Sequence, residues 1–257
     1  ETGSKGQTAS GRSLSAYLHY PYQPKISYSQ PAAKSYQQIL TDLVSHLGWD
    51  IEFHIADYLV PGNTFSYINK SPMGALVDAV KAVDGVIKTD PNEKKLYISY
   101  YHPVSSYLWP GEIPDIVLPI ATVYSTDIEY IPGVDYNKVF ITGETADGVL
   151  VECLSNGTAG DILHDDFQHQ LITHVNAGYE KARNLFSKSG NKLQIKTQSF
   201  LYTPPSFHNY EFKLINVQDI VEYEGNSGLS NIGFTTDTVI NADNAGVKQQ
   251  TTMVRYL

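Results

Sequence analysis

Three histidines spaced five residues apart are the residues of this chain best suited by type to carry chemistry. His164, His169 and His174 lie beside the adjacent carboxylates Asp165 and Asp166. Imidazole and carboxylate groups are common ligands of divalent metal ions. A spacing of five, however, places side chains on one side of neither a helix nor a strand. We therefore interpret the segment as a polar loop before a helix and predict no metal ion, and any ligand role of the three histidines stays open.

Catalytic templates are missing from the sequence as well. Asp165 and Asp166 carry the two carboxylates that a glycosidase needs, but adjacent residues rarely face one cleft. The sequence has no G-x-S-x-G elbow, no H-E-x-x-H motif and no glycine-rich phosphate-binding motif. We predict no catalytic residue and no cofactor, and the sequence leaves binding residues unknown. The single cysteine, Cys153, cannot form an intrachain disulfide, and its apolar surroundings predict a buried thiol.

Composition narrows the class of protein further. Of the 257 residues 42% are hydrophobic and 18% charged, which is typical of a globular chain with a sizeable core. The net charge of −9 argues against a protein that grips a phosphate backbone. The 19 tyrosines suit either subunit interfaces or an ordinary β-sheet. No stretch approaches the ~20 apolar residues that span a bilayer. Because the chain begins at Glu1, we expect a fragment or a processed product.

The elements that must position these residues begin with two capped helices. A first helix is predicted over residues 35–48, where Ser35 and Gln38 form a capping box. A second is predicted over residues 71–85, with Ser71 at the N-cap and a proline after it. Strand-like runs surround these helices: Trp49–Ile55, Phe65–Asn69, Val86–Thr89 and Leu96–Tyr101. The order helix-strand-strand-helix-strand-strand predicts a two-layer α/β module of the docking type.

The rest of the chain is predicted to be rich in strands, so the fold class is α+β. Short β-branched and aromatic runs suggest a barrel or a sandwich. Those runs are Val117–Tyr124, Thr126–Ile131, Lys138–Gly143, Gly148–Leu154, Lys192–Leu201, Glu211–Ile215, Val217–Tyr223, Gly233–Ile240 and Gln249–Val254. One helix, residues 173–188, interrupts them, with Thr173 as its cap. Its predicted apolar face consists of Val175, Tyr179, Ala182 and Phe186.

Three domains follow from this pattern. Residues 1–34 are predicted to be a linker and edge-strand connector, and residues 35–105 the α/β docking module. Residues 106–257 are predicted to be the barrel or sandwich domain. The boundary after residue 105 falls in a proline-dense crossing.

In the order and spacing of short motifs, the chain resembles the middle and C-terminal part of the tail hub, or baseplate hub, proteins of tailed bacteriophages and prophages. The motifs are Ser10–Leu14, Val60–Phe65, Tyr136–Gly143, Gly157–Asp161, Leu171–His174 and Lys248–Thr252. The chain departs from the family pattern at Leu163–Gln168, where an apolar, proline-containing loop is expected.

The resemblance implies a structural virion protein made in the cytoplasm of the bacterial host. It implies a homotrimeric hub ring at the tail tip that joins the tail tube to the spike or fibres. Its partners would be the tube, distal tail, and spike or fibre proteins, with DNA only in transit through a channel and no stable membrane insertion. Carboxylates lining such a channel would repel phosphate. The resemblance implies no catalytic residue.

Two other functions stay open from the sequence. The element order of the α/β module also resembles the small ring-forming domains of secretins, which would make the chain a periplasmic ring module. A tail-associated cell-wall hydrolase is the other alternative, although no credible acid/base pair supports it.

Overall fold

The computed structural model describes residues 12–201, 214–224, 230–243 and 246–257. Within them the chain forms three α-helices and sixteen strands, the α+β class expected from the sequence. The strand predicted at Glu211–Ile215 lies mostly outside the described residues. None of the helices in the described part is long and apolar enough to cross a membrane.

Two compact units divide the chain, and neither is one continuous stretch. The first unit holds the described residues up to Tyr101 together with Phe140–Cys153 and Asp166–Ala182. The second unit holds His102–Val139, Leu154–Asp165 and the described residues from Arg183 onward. The contiguous domains 1–34, 35–105 and 106–257 stay a prediction.

Two capped helices organise the first unit. Helix α1 spans Tyr36–Asp42 and has the predicted capping box, because the Ser35 hydroxyl accepts from the Gln38 amide while the Gln38 side chain accepts from the Ser35 amide. Helix α2 spans Pro72–Val80, with the Ser71 side chain accepting from the Gly74 amide. Both helices end earlier than predicted, because a 3₁₀ turn follows each of them.

A left-handed residue follows each of these 3₁₀ turns. After the first helix it is Gly48, with φ +75°. After the second helix it is Asp84, with φ +55°, and Gly85 already begins the next strand. The Asp84 carboxylate lies 3.1 Å from the Lys181 ammonium, and the Lys181 side chain is 7% exposed. Asp84 is thereby the acidic partner of a buried cation.

Short strands complete this part of the first unit. They are β1 (Ile26–Ser29), β2 (Lys34–Ser35), β3 (Asp50–His54), β4 (Leu59–Val60), β5 (Ser66–Lys70), β6 (Gly85–Thr89) and β7 (Lys95–Tyr100). Strands β3, β7 and β6 form one sheet, in which β3 and β7 are parallel and β6 and β7 antiparallel. A turn joins β6 to β7, and the Asp90 carboxylate accepts from the Asn92 and Glu93 amides there.

The stretch before α1, residues 12–34, contains a short 3₁₀ helix and a strand. Strand β1 pairs antiparallel with β5 and forms a two-stranded ribbon, so β5 is not part of the β3-β7-β6 sheet. Leu18 and Gln30 are 0% and 1% exposed. Residues 12–34 therefore contribute a strand and buried side chains to the first unit.

A three-stranded sheet, ordered β11-β10-β12, comes from later in the chain. Its strands are β10 (Lys138–Gly143), β11 (Leu150–Leu154) and β12 (Phe167–His169). Strand β12 pairs parallel to β10, so the polar loop predicted before the third helix is wrong for these three residues. The pairing partners are more than twenty residues apart in sequence, so a local pattern does not reveal them.

Helix α3 spans Val175–Phe186, and Ala182 is the one buried member of its predicted apolar face, of which Phe186 is half-buried. Val175 and Tyr179 are 42% and 55% exposed. The buried residues are Ala177, Gly178, Lys181, Ala182 and Asn184. A Cβ atom on Gly178 would come 2.7 Å from a Val151 methyl group, so the small residues allow a close approach to β11. Tight backbone packing therefore determines the buried face here, rather than apolar side chains.

The second unit is built on one six-stranded sheet. Its strands are β8 (Ile116–Leu118), β9 (Val123–Ile131), β13 (Lys192–Phe200), β14 (Ile220–Glu224), β15 (Ser230–Asp243) and β16 (Gly246–Tyr256). Their order is β8-β14-β15-β16-β13-β9, with β8 parallel to β14 and the other pairs antiparallel. The predicted run Val117–Tyr124 is divided at Pro119, which has no N–H for a ladder.

The connection between the two edge strands requires this sheet to curl. Leu118 and Val123 lie five positions apart, so the chain between them spans at most about 18 Å. A flat sheet of six strands would be about 24 Å wide. The hydroxyl groups of Thr126 on β9 and Tyr223 on β14 lie 3.0 Å apart, although four strand spacings separate these strands within the sheet. The sheet is therefore a half-barrel, in agreement with the predicted barrel-type domain.

Both faces of the curled sheet are covered over part of their area. One face carries an apolar cluster consisting of Leu118, Ile195, Ile215, Val221, Tyr223 and Met253. On β15, Phe234 stacks on Trp109 from a 3₁₀ helix, with ring centres 5.2 Å apart. The imidazole of His102, which is 0% exposed, packs against both rings. This aromatic group anchors the 3₁₀ helix to the sheet.

Candidate assembly surface

Strand β9 is exposed along seven of its nine residues. Ile128 and Tyr130 alternate along it and are both 56% exposed. Alternating residues point to the same face of a strand. These apolar side chains therefore form a row at the margin of the sheet.

The opposite face of β9 is acidic. Asp127 and Glu129 alternate with the apolar row, and both are exposed. The strand thus presents large apolar groups on one face and two carboxylates on the other. Such a surface provides contact area together with a charge pattern that can fix the register of a partner.

The edge of β9 also offers backbone groups. Within the described residues β9 pairs only with β13, and no strand pairs along its other edge. Natural edge strands block pairing with proline or lysine, and the sequence of β9 contains neither. Strand β8, at the other margin of the curled sheet, has three residues, which are too few to cover the nine residues of β9. Strand β9 can therefore accept a strand from another chain.

Sequence reasoning predicted strands here but did not single out this surface. The alternation of apolar and acidic residues is visible in the sequence between Asp127 and Tyr130. Whether such a strand lies at an edge depends on its pairing with β13, about seventy residues later. Only the sheet order reveals that the strand is uncovered.

His169 has a structural role. Its Nδ1 accepts from the Leu171 amide at 3.1 Å, so the proton lies on Nε2, which donates to the Asp78 carbonyl at 3.0 Å. Burial lowers the pKa of His169 to about 4, which is consistent with this neutral ring. Both ring nitrogens are engaged, so neither lone pair is left for a metal ion.

His174 caps α3. Its Nδ1 accepts from the Asn176 amide at 3.2 Å, while its carbonyl accepts from the Ala177 amide at 3.1 Å. The predicted cap, Thr173, instead donates its hydroxyl to the Leu59 carbonyl at 3.1 Å. The helix begins two residues later than predicted, because a long-range contact takes the Thr173 hydroxyl away from the helix end.

The remaining residues of the histidine segment lie apart from these two. His164 Nδ1 donates to the Asp165 carbonyl at 2.6 Å, and its ring packs against Tyr136 at 4.3 Å. Asp165 and Asp166 are exposed. Within the described part of the chain, no group of three histidine, cysteine or acidic residues is close enough to hold a metal ion.

The thiol of Cys153 is buried, as predicted. It is 6% exposed, and burial raises its pKa to about 11. A thiol with a raised pKa is a poor nucleophile at neutral pH, because the thiolate is the reactive form. Cys153 therefore serves packing.

Comparisons with known proteins identify the fold. No protein-family model matches the sequence, and a search of curated proteins finds no match. Among solved structures, the chain is similar to a tail protein from Neisseria meningitidis, with a TM-score of 0.61 and 9% identity over 94% of this chain and 72% of that one. It is also similar to a 43 kDa tail protein of prophage MuSo2 from Shewanella oneidensis, with a TM-score of 0.54 and 14% identity over 95% and 73%.

A third similar structure comes from a secretion machine. It is an Escherichia coli component of the type VI secretion system, described as structurally similar to the T4 bacteriophage tail proteins gp27 and gp5. The TM-score is 0.50 at 10% identity, covering 94% of this chain and 53% of that one. The chain therefore has the fold of phage tail proteins, and the resemblance suggested by its motifs is confirmed at the level of the fold.

Proposed function

We propose that this chain is a structural, non-enzymatic protein of a bacteriophage tail tip or baseplate. It forms a homotrimeric hub that joins the tail tube to the spike or fibres and surrounds the channel for DNA. Its place of action is the virion, and its partners are other tail proteins. Similarity to two tail proteins over at least 94% of the chain supports the structural role in a tail.

The observation that carries the assembly step is the uncovered strand β9. A long edge with apolar side chains is a template for pairing with another chain. In a closed ring, each subunit uses one surface to contact a different surface of its neighbour. We assign β9 to one of these two surfaces. Its row of Ile128 and Tyr130 would then supply the apolar centre of the contact.

A charge placed in this row tests the assignment. Ile128→Lys would bury an unpaired ammonium group in the contact, so the variant should run as a monomer when the unchanged chain runs as a trimer. Ile113→Lys is the matched control, because Ile113 is 90% exposed and lies outside the strands. The measurement is light scattering coupled to size exclusion. If the Ile128→Lys variant is still a trimer, β9 does not lie in the interface.

The acidic balance of the chain fits a channel for DNA. A net charge of −9 disfavours adhesion to a phosphate backbone, which a passage for DNA requires. Replacing channel-facing carboxylates with lysine should slow DNA ejection from the assembled particle. An unchanged ejection rate would count against the channel role.

A second candidate is a hub in a type VI secretion machine. The similarity to the Escherichia coli component favours it. The two candidate functions place the chain in different assemblies, a DNA-containing phage particle or a DNA-free secretion machine. Mass spectrometry of DNA-containing particles from an induced culture should detect the chain in the phage case. Detection only in DNA-free sheathed assemblies would favour the secretion machine.

A further inference from the structure

Three exposed tyrosines follow one another closely in the stretch before α1. Tyr17, Tyr20 and Tyr22 are 55%, 63% and 55% exposed. The rings of Tyr17 and Tyr22 pack edge to face, with their centres 5.2 Å apart. Tyrosine is enriched in protein interfaces, because its ring provides contact area while its hydroxyl group bonds to polar partners. We call residues 17–25 the tyrosine turn.

The tyrosine turn lies in a basic stretch of an acidic chain. Residues 12–41 contain three lysine or arginine residues and neither aspartate nor glutamate, although the net charge of the whole chain is −9. Lys34 forms an ion pair with Asp42, whereas Lys25 is exposed. The Lys25 ammonium group lies over the Tyr20 ring, 5.3 Å from its centre, in a cation–π contact. The turn therefore presents aromatic rings together with a positive charge.

The other exposed cations outside this stretch have acidic neighbours. Apart from Arg12 and Lys25, the lysine and arginine residues exposed within the described ranges are Lys81 and Lys94. The Lys81 ammonium group lies 3.7 Å from the Asp78 carboxylate, and Lys94 directly follows a glutamate. An acidic partner surface would meet repulsion from these carboxylates. The tyrosine turn is therefore the better complement for a surface that is both acidic and apolar.

Strand β9 is such a surface. Its apolar row provides contact area, Asp127 and Glu129 provide exposed carboxylates, and the strand contains no lysine or arginine. Asp127 lies opposite Lys196 of β13, whereas Glu129 lies opposite the uncharged Gln194. Glu129 thus has no cation directly opposite it in β13. It is the carboxylate of β9 that gains more from a cation on another molecule.

We propose that the tyrosine turn is the second surface of the ring contact and binds β9 of a second copy, with the Lys25 ammonium group facing the Glu129 carboxylate. The proposal rests on the homotrimeric hub of the proposed function, because a closed ring requires two different surfaces on each subunit. The tyrosine rings pack against Ile128 and Tyr130 of the second copy, and the charge pair fixes the register of the contact.

A charge reversal in the turn tests the proposal. Lys25→Glu places a carboxylate against Glu129, so the protein concentration at which the trimer is half dissociated should rise at least about tenfold. Lys94→Glu is the matched control, because it makes the same change of charge at an exposed position outside the turn. Light scattering over a series of protein concentrations measures both variants. A Lys25→Glu variant that dissociates like the unchanged chain would overturn the proposal.

A second reversal tests the pairing itself. Glu129→Lys should weaken the trimer as Lys25→Glu does, and the variant with both substitutions has opposite charges in exchanged places. The double variant should therefore dissociate at a lower concentration than either single variant. Both residues are exposed, so neither substitution disturbs the core, and thermal unfolding checks the fold of each variant. A double variant that dissociates as readily as the single variants would show that the two residues do not face each other, and the proposal would be wrong.

The outcomes separate this proposal from the proposed function. An unchanged chain that is monomeric at every concentration would contradict the trimer, and the second surface would fall with it. A trimer that dissociates on Ile128→Lys but not on Lys25→Glu would keep β9 in the ring contact and exclude the tyrosine turn as its partner. That result would overturn this proposal alone.

Discussion

His169 shows how a residue that suggests chemistry in the sequence can serve structure. Its ring nitrogens connect β12 to Leu171 and to the end of α2, through bonds to the Leu171 amide and the Asp78 carbonyl. His174 caps a helix, and His164 bonds to a neighbouring carbonyl. The regular spacing of these histidines predicted a common loop, but His169 lies in a strand and bonds to the distant Asp78, whereas His164 and His174 bond to neighbouring residues. The residue types were visible in the sequence, whereas their roles were not.

The lowered pKa of His169 predicts a loss of stability in acid. In the folded chain the pKa is about 4, whereas an exposed histidine has a pKa of about 6.5. Between these values the unfolded chain takes up a proton that the folded chain refuses, so stability falls as the pH drops from about 6.5 to about 4. The loss should be on the order of 3 kcal/mol.

Comparison with His169→Gln isolates this contribution. Glutamine keeps a donor for the Asp78 carbonyl but does not titrate. Urea unfolding of both proteins at several pH values gives the difference in unfolding free energy. The unfolding free energy of the unchanged chain minus that of the His169→Gln variant should fall from pH 7 to pH 4. A difference independent of pH would contradict the neutral state assigned to the His169 ring.

At the scale of elements, the sequence predicted the features that depend only on residues close together in the chain. The capping box of Ser35 and Gln38 involves residues three positions apart, so its signature is complete in the sequence. The turn at Asp90 is local in the same way. The buried face of α3 could not be predicted, because Gly178 packs against Val151 from a separate strand. Edge position and sheet partners likewise depend on residues far away in the chain.

Gly143 marks a close approach between elements that can be tested. A Cβ atom at this position would overlap the Gly148 backbone and the Ile172 carbonyl oxygen. Because backbone atoms cannot move aside as a flexible side chain can, Gly143→Ala should destabilise the chain by about 2 kcal/mol or more. Chemical denaturation measures this loss.

Gly111→Ala is the control for this substitution. No atom lies within 4 Å of a Cβ built at Gly111, so the change in unfolding free energy should stay within about 0.5 kcal/mol. Equal effects of the two substitutions would mean that the strands and loop around Gly143 are not packed as described.

At the scale of the whole molecule, the composition and the fold are the basis of the proposed structural role. The chain is acidic, and within its described residues there is no metal-binding cluster and no membrane-spanning helix. Its fold is shared with phage tail proteins at 9% and 14% identity. Each of the two units consists of three separate segments of the chain, and the contiguous domains stay a prediction. The resemblance to the fold of tail proteins was predictable from ordered motifs, whereas the edge position of β9 required the sheet order.

The charge of the molecule predicts that it does not retain DNA. Binding to a phosphate backbone requires clustered lysine and arginine, and the net charge here is −9. Fluorescence anisotropy with a labelled duplex at about 0.15 M salt should show no binding at micromolar protein, where even non-specific binders begin to associate. Saturable binding under these conditions would contradict the role of a passage for DNA.

The most direct test of the account is the mass of the purified chain in solution, measured by light scattering coupled to size exclusion. A homotrimeric hub predicts a mass near three times 28.5 kDa over a range of protein concentrations. A mass of 28.5 kDa at every concentration would contradict the trimer and the assignment of β9 to its interface.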